Sequence, residues 1–263
     1  MKKICSLAVA ACLFLSSAGS GFAHFGMVIP SSSSVMSNGN ANVKLDLKFW
    51  HPFANQGMNL VKPEAFDVYF EGKAQSLLDR LKEGKEQGKR VWEVDYKLAR
   101  PGLYAFVMQP EPYWEPEEDC FIVHYTKAYV DAFGDDEGWS EPLGLKAEIV
   151  PMVRPGALYA GNVFQGVVMF NGKAVPGAEV EVEWYPGPGF AGKAPSETMI
   201  TQTVKADGNG VFTYAAPVAG WWGFAALMEG DSKIKLDGKD KDVEIGAVLW
   251  AYFNEFKVPE KLK

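Results

Sequence analysis

The chain has 263 residues, 48% of them hydrophobic, with 26 basic and 33 acidic side chains and a net charge of −7 at pH 7. Such an acidic balance argues against nucleic acid or an anionic membrane as partner and is compatible with a cation ligand. With only three cysteines and three histidines, each placement is informative.

Lys2 and Lys3 precede a short apolar run, Leu7 to Leu15, and small residues then accumulate up to Ala23. Gly21 and Ala23 satisfy the small-x-small rule of a signal-peptidase site, and the run is too short to span a bilayer. Residues 1–23 read as a cleaved secretory signal peptide, so the expected location is the periplasm. Val9-Ala10-Ala11-Cys12 resembles a lipobox that would lipidate Cys12, but Leu13, Phe14 and Leu15 continue the apolar core past it. Cleavage after Ala23 removes Cys5 and Cys12 and leaves Cys120 with no partner for an internal disulfide. It also makes His24 the first residue.

Residues 24–41 read as a tail rich in Ser and Asn. In Val43–Phe49 the residues Val43, Leu45, Leu47 and Phe49 alternate with Lys44, Asp46 and Lys48, the period-two pattern of a strand with one buried face. His51 continues that face just before Pro52 and points toward the interior or a pocket mouth. Ala65–Glu71 is a second strand. Residues 76–89 fit either a short helix or a long hairpin loop. Val91–Leu98 alternates again, and Leu103–Met108 is a buried strand after the turn Arg100-Pro101-Gly102. Pro110, Pro112 and Pro116 then forbid regular structure, giving a rigid acidic, aromatic loop that feeds a strand at Phe121–Tyr125 carrying His124. Lys127–Phe133 fits a short helix.

Pro142 to Pro155 reads as a domain junction. Beyond it, Asn171-Gly172 signals a hairpin, Val180, Val182 and Trp184 alternate with Glu179, Glu181 and Glu183, and further strands flank an Asp207-Gly208 turn. Short strands punctuated by Gly and Pro predict an all-β fold: two β-sandwich domains, Ig-like or prealbumin-like, at residues 24–150 and 151–263.

The sequence lacks a Gly-Lys-Thr/Ser phosphate loop, a Gly-x-Ser-x-Gly elbow, Cys-x-x-Cys and His-Glu-x-x-His, and nothing selects a catalytic carboxylate pair. The histidines are the informative set. A mature N-terminal His24 would carry an α-amine with a pKa near ~8 beside its imidazole. Amine and ring Nδ1 close a chelate, and nitrogen donors suit nickel, cobalt, copper and zinc. Adding the rings of His51 and His124 makes a four-nitrogen metal site. Of the carboxylates Glu111, Glu115, Glu117, Glu118 and Asp119, one would orient a histidine. The others fit a solvated charge run.

The stretches "KFWHPFANQGMNLVKPEAFDVYF", "PEPYWEPEEDCFIVHYTK", "GWSEPLGLKAEIVPMVRP", "LYAGNVFQGVVMFNGKAVPGAEVEVEWY" and "GVFTYAAPVAGWWGFAAL" resemble a family of secreted bacterial proteins. That family is described as the periplasmic component of energy-coupling-factor nickel/cobalt uptake systems, and otherwise as a domain of unknown function. The resemblance covers residues 24–256. Its pattern matches Ala23-His24, His51-Pro52-Phe53 and His124 of "HYTK", but Ala54-Asn55 stand where members often have an acidic residue. It implies a prealbumin-like second domain and a non-enzymatic protein. Such a protein captures Ni(II) or Co(II) as cargo, with Cu(II) or Zn(II) binding in vitro, and passes the ion to membrane components of an uptake transporter. The alternative is a copper protein, either a chaperone or a monooxygenase-like enzyme that holds copper through the terminal histidine.

Overall fold

The computed structural model describes residues 24–36, 41–190 and 192–257. The expected signal segment 1–23, with the expected cut site and Cys12, lies outside the described residues. The principal strands are β1 (Phe25–Pro30), β2 (Asn42–His51), β3 (Ala65–Phe70), β4 (Lys89–Lys97), β5 (Gly102–Gln109), β6 (Cys120–Ala132), β7 (Ala147–Pro151), β8 (Val163–Phe170), β9 (Glu179–Tyr185), β10 (Val211–Ala215), β11 (Gly220–Glu229) and β12 (Lys239–Phe253). The protein is all-β. Among the described residues, no helix is long and apolar enough to cross a membrane.

Three sheets form. The first runs β1, β2, β4 and the short strand Lys82–Glu86, all antiparallel. The largest has the order Gln202–Lys205, β9, β11, β12, β6, β5, β3, Lys73–Ser76. The third sets β7 and β10 against β8. In the largest sheet β6 and β12 pair in parallel, from Cys120 opposite Asp242 to Ala128 opposite Trp250. The two strands are distant in sequence, and this seam makes one sheet of both halves of the chain.

Side chains alternate across a strand, and here both sets find a core. Ile122, Ala128 and Val130 of β6, with Val248 and Trp250 of β12, pack with β1 and β2. The intervening Phe121, Val123, Ile245, Ala247 and Leu249 pack with β7 and β8. The first and third sheets therefore cover opposite faces of the central one. Burying a large apolar side chain such as Phe25, Phe106 or Phe224 contributes roughly 1.5–3 kcal/mol.

Several sequence expectations change or resolve. The expected tail holds β1, six buried residues registered from Phe25 opposite Trp50 to Pro30 opposite Leu45. Its apolar run packs on both faces and shows no alternation. The expected helix Lys127–Phe133 is instead the second half of β6, because Lys127 is buried against Glu148 (Nζ to Oε2 2.8 Å) and does not face solvent. Within the proline-rich loop, Tyr113–Glu115 pair with Cys120–Ile122 as a short strand. Residues 76–89 contain a single 3₁₀ turn, Leu78–Arg80, then a hairpin from Lys82–Glu86 to β4. The Asn171-Gly172 turn has the positive φ angles, 50° and 72°, that this dipeptide supplies. The buried strand β7 crosses the expected boundary at 150/151.

Candidate metal centre

The inward face of β2 carries Val43, Leu45, Leu47 and Phe49, and His51 ends it, 8% exposed. His24 immediately precedes β1. With Phe25 registered on Trp50, His24 falls beside His51, and their ring centroids are 4.5 Å apart. His124 lies on the face of β6 that looks toward the first sheet. Phe49 bridges the set: its ring stacks on His24 at 5.4 Å and meets His124 edge-on at 5.9 Å. All three histidines of the sequence thus gather in one place.

Two glycines make room for His124, which is 1% exposed. A Cβ on Gly246, its partner in register on β12, would meet its Cδ2 at 2.3 Å. A Cβ on Gly26 would meet Thr126 Oγ1 at 2.3 Å and His124 Cβ at 3.0 Å.

Hydrogen bonding divides the ring nitrogens. The Gly26 backbone N–H donates to His124 Nδ1 at 3.3 Å. In the neutral ring Nε2 then carries the proton and faces Glu244 Oε1, 3.5 Å away, so taking an ion on Nε2 would require the other tautomer and release of the Gly26 hydrogen bond. His24 Nε2 lies 3.2 Å from Glu115 Oε2, which leaves its Nδ1 for a chelate. Glu115 is buried, and its Oε1 accepts the Glu117 N–H at 3.0 Å. Burial, then repulsion from His51 and His124, pushes the His24 pKa down to about 4 against an opposing pull from Glu244. A ring held neutral near pH 7 keeps a lone pair for a metal.

The second half of the chain supplies carboxylates behind the histidines. Glu183 of β9 accepts the Phe53 N–H at 2.8 Å and the Thr201 hydroxyl at 3.2 Å, which pins the chain just after His51-Pro52. Burial raises the pKa of Glu183 to about 7. Glu181 is raised to about 7 by burial, then by Glu244 and Glu118. Burial, with Glu244, Glu118 and Glu115 nearby, pushes the Cys120 thiol up to about 12. It therefore stays a thiol and offers no thiolate.

Among the described residues, no three His, Cys, Asp or Glu side chains converge tightly enough to grip an ion as they stand. In the unprocessed chain the nitrogen of His24 is a peptide amide, so the chelating terminus is absent. Of the five loop carboxylates, Glu115 touches a histidine and Glu118 lies 3.9 Å from Cys120. Glu111, Glu117 and Asp119 are exposed. Sequence reasoning missed Glu244 and Glu183. The glycine interrupting "VEIGAVLW" was an available signal of close approach, but nothing in the sequence singles out Glu244.

A family model described as a domain of unknown function, DUF4198, matches residues 21–230. The chain belongs to this family. No curated protein matches the DUF4198 chain. Among solved structures, it is similar to the D0-D1 domain of intimin, at 13% identity and TM-score 0.24, covering 87% of this chain and 97% of that one. Fibronectin(III)-like modules of Clostridium thermocellum CbhA match at 8% identity and TM-score 0.25, covering 90% and 99%. The FN1-FN3 domains of chicken CNTN1 match at 9% identity and TM-score 0.22, covering 89% and 68%.

Proposed function

We propose that this DUF4198 protein is a non-enzymatic periplasmic carrier that captures Ni(II) or Co(II) and delivers it to membrane components of an uptake transporter. The observation that supports it is the gathering of His24, His51 and His124 around Phe49, from three separate stretches of sequence. Signal cleavage after Ala23 would add the α-amine of His24. That amine and Nδ1, which Glu115 leaves free, form a chelate, and the rings of His51 and His124 complete four nitrogens. Such a set suits tetragonal Ni(II), or Co(II) with added water. Glu115 orients the first ring and Glu244 offsets the charge of the ion. The transporter as recipient follows from the family resemblance of the sequence.

The test is calorimetric titration with nickel of protein whose N-terminus is verified by mass spectrometry to be His24. One tightly bound ion is expected. A correctly processed sample that takes up no transition ion ends the proposal.

One observation favours a second reading. The His24–His51 pair, at 4.5 Å between rings, would with the amine form a two-histidine copper brace. Copper binds almost any such site more tightly than nickel, so affinity alone does not choose the cargo. Reductant-driven, copper-dependent consumption of peroxide would establish an enzyme, and its absence favours the carrier.

A further inference from the structure

Beside the histidines lies a cavity of about 310 Å³. Phe49, Tyr113 and His124 line it, and Phe49 and Tyr113 also surround the His24 ring, at 5.4 and 6.2 Å. The cavity and the histidine cluster therefore share a wall. Elsewhere the lining is mainly apolar, with Leu60, Met108, Trp114 and Ile122, while Asn59 and Glu111 supply polar groups. Pro110 and Pro112 belong to the lining and restrict its backbone.

A hydrated ion gains nothing from such a wall, since giving up its water to apolar surface is costly. A small organic molecule gains from it, and the volume lies at the lower end of the roughly 300–1,000 Å³ of ligand sites. Four nitrogens would leave the axial positions of a tetragonal ion open. We infer that the protein takes its ion together with a small organic acid, whose apolar body fills the cavity and whose carboxylate or ring nitrogen completes the coordination. This rests on the metal-carrier reading and names the form of its cargo: an ion–chelator pair.

The test is equilibrium dialysis of the processed protein against nickel chloride and pyridine-2-carboxylate, together and separately, with nickel and the aromatic acid measured independently. Wild type is expected to retain about one equivalent of the acid, and only when nickel is present. Val61 lines the cavity and is 44% exposed, so Val61→Trp narrows the opening without disturbing the core. It is expected to keep nickel and to retain at least about tenfold less of the acid. Nickel held with no acid in wild type overturns the inference and leaves the carrier reading standing. Equal retention of the acid by Val61→Trp also overturns it, since the acid then sits elsewhere. Nickel held under no condition removes both.

Discussion

Gly246 lies against the imidazole of His124 so closely that a methyl in place of its hydrogen would sit 2.3 Å from Cδ2. The contact crosses the β6–β12 seam, where the two residues are partners in register. The orientation of a candidate ligand in the first half of the chain is therefore set by a missing side chain in the second. Gly246→Ala is expected to turn His124 out of place. Nickel affinity should fall about 10–100-fold, and stability in urea by about 1–3 kcal/mol.

The terminus offers a sharper measurement. One extra residue ahead of His24 converts the amine to an amide and leaves every side chain in place. Calorimetry should show nickel affinity reduced by at least about tenfold, the loss of an intramolecular donor, with an unchanged unfolding midpoint. Equal affinity in the extended and processed forms would remove the amine from the site.

Glu115 holds His24 through Nε2. Glu115→Ala is expected to weaken nickel binding about 10–100-fold, and Glu115→Gln, which keeps a hydrogen-bonding group, by less. A kinetic and equilibrium titration of both variants checks the order.

Glu181 and Glu183 make stability depend on pH. Both are raised from 4.5 to about 7, chiefly by burial, so the folded state holds protons that the unfolded state releases. The stability they contribute is present below pH 4.5 and is lost as pH rises through about 7. Glu183→Gln mimics the protonated acid toward Phe53 and Thr201. It should gain on the order of 2 kcal/mol relative to wild type between acid and neutral pH, read from urea midpoints across that range. His24 works in the opposite sense: with its pKa lowered from 6.5 to about 4, its contribution is present above pH 6.5 and lost as pH falls toward 4.

Lys127 and Glu148 form a buried pair at 2.8 Å, and Glu148 also accepts the Leu143 and Gly144 N–H groups. Glu148→Ala leaves a charge without its counterpart and should cost about 3–5 kcal/mol. The double variant Lys127→Met, Glu148→Ala removes that stranded charge, so denaturant titration should find it more stable than Glu148→Ala alone.

The strand β2 was legible because one face is apolar and the other is not, and the position of His51 followed from the same parity. The strand β1 was not, since an element buried on both faces has no alternation to read. The second half of β6 was hidden by Lys127, whose charge is matched by a carboxylate on another strand. At the candidate site, the histidines were visible through their scarcity and the cut expected before His24. Glu115 was one of five carboxylates with nothing to rank them. Glu244 and Glu183 reach the cluster only through the parallel seam and the face of β9, and no local pattern in a sequence encodes a register between distant strands.

That seam also sets the order of assembly. A nascent chain that has emerged as far as His124 still lacks the strand that flanks it, and the residues up to Gly246 must appear before the imidazole has its wall. Contacts so far apart along the polypeptide slow folding. The wall behind His124 is consequently complete only once β12 has docked, and a chain truncated before residue 239 would lack it even with its first sheet formed.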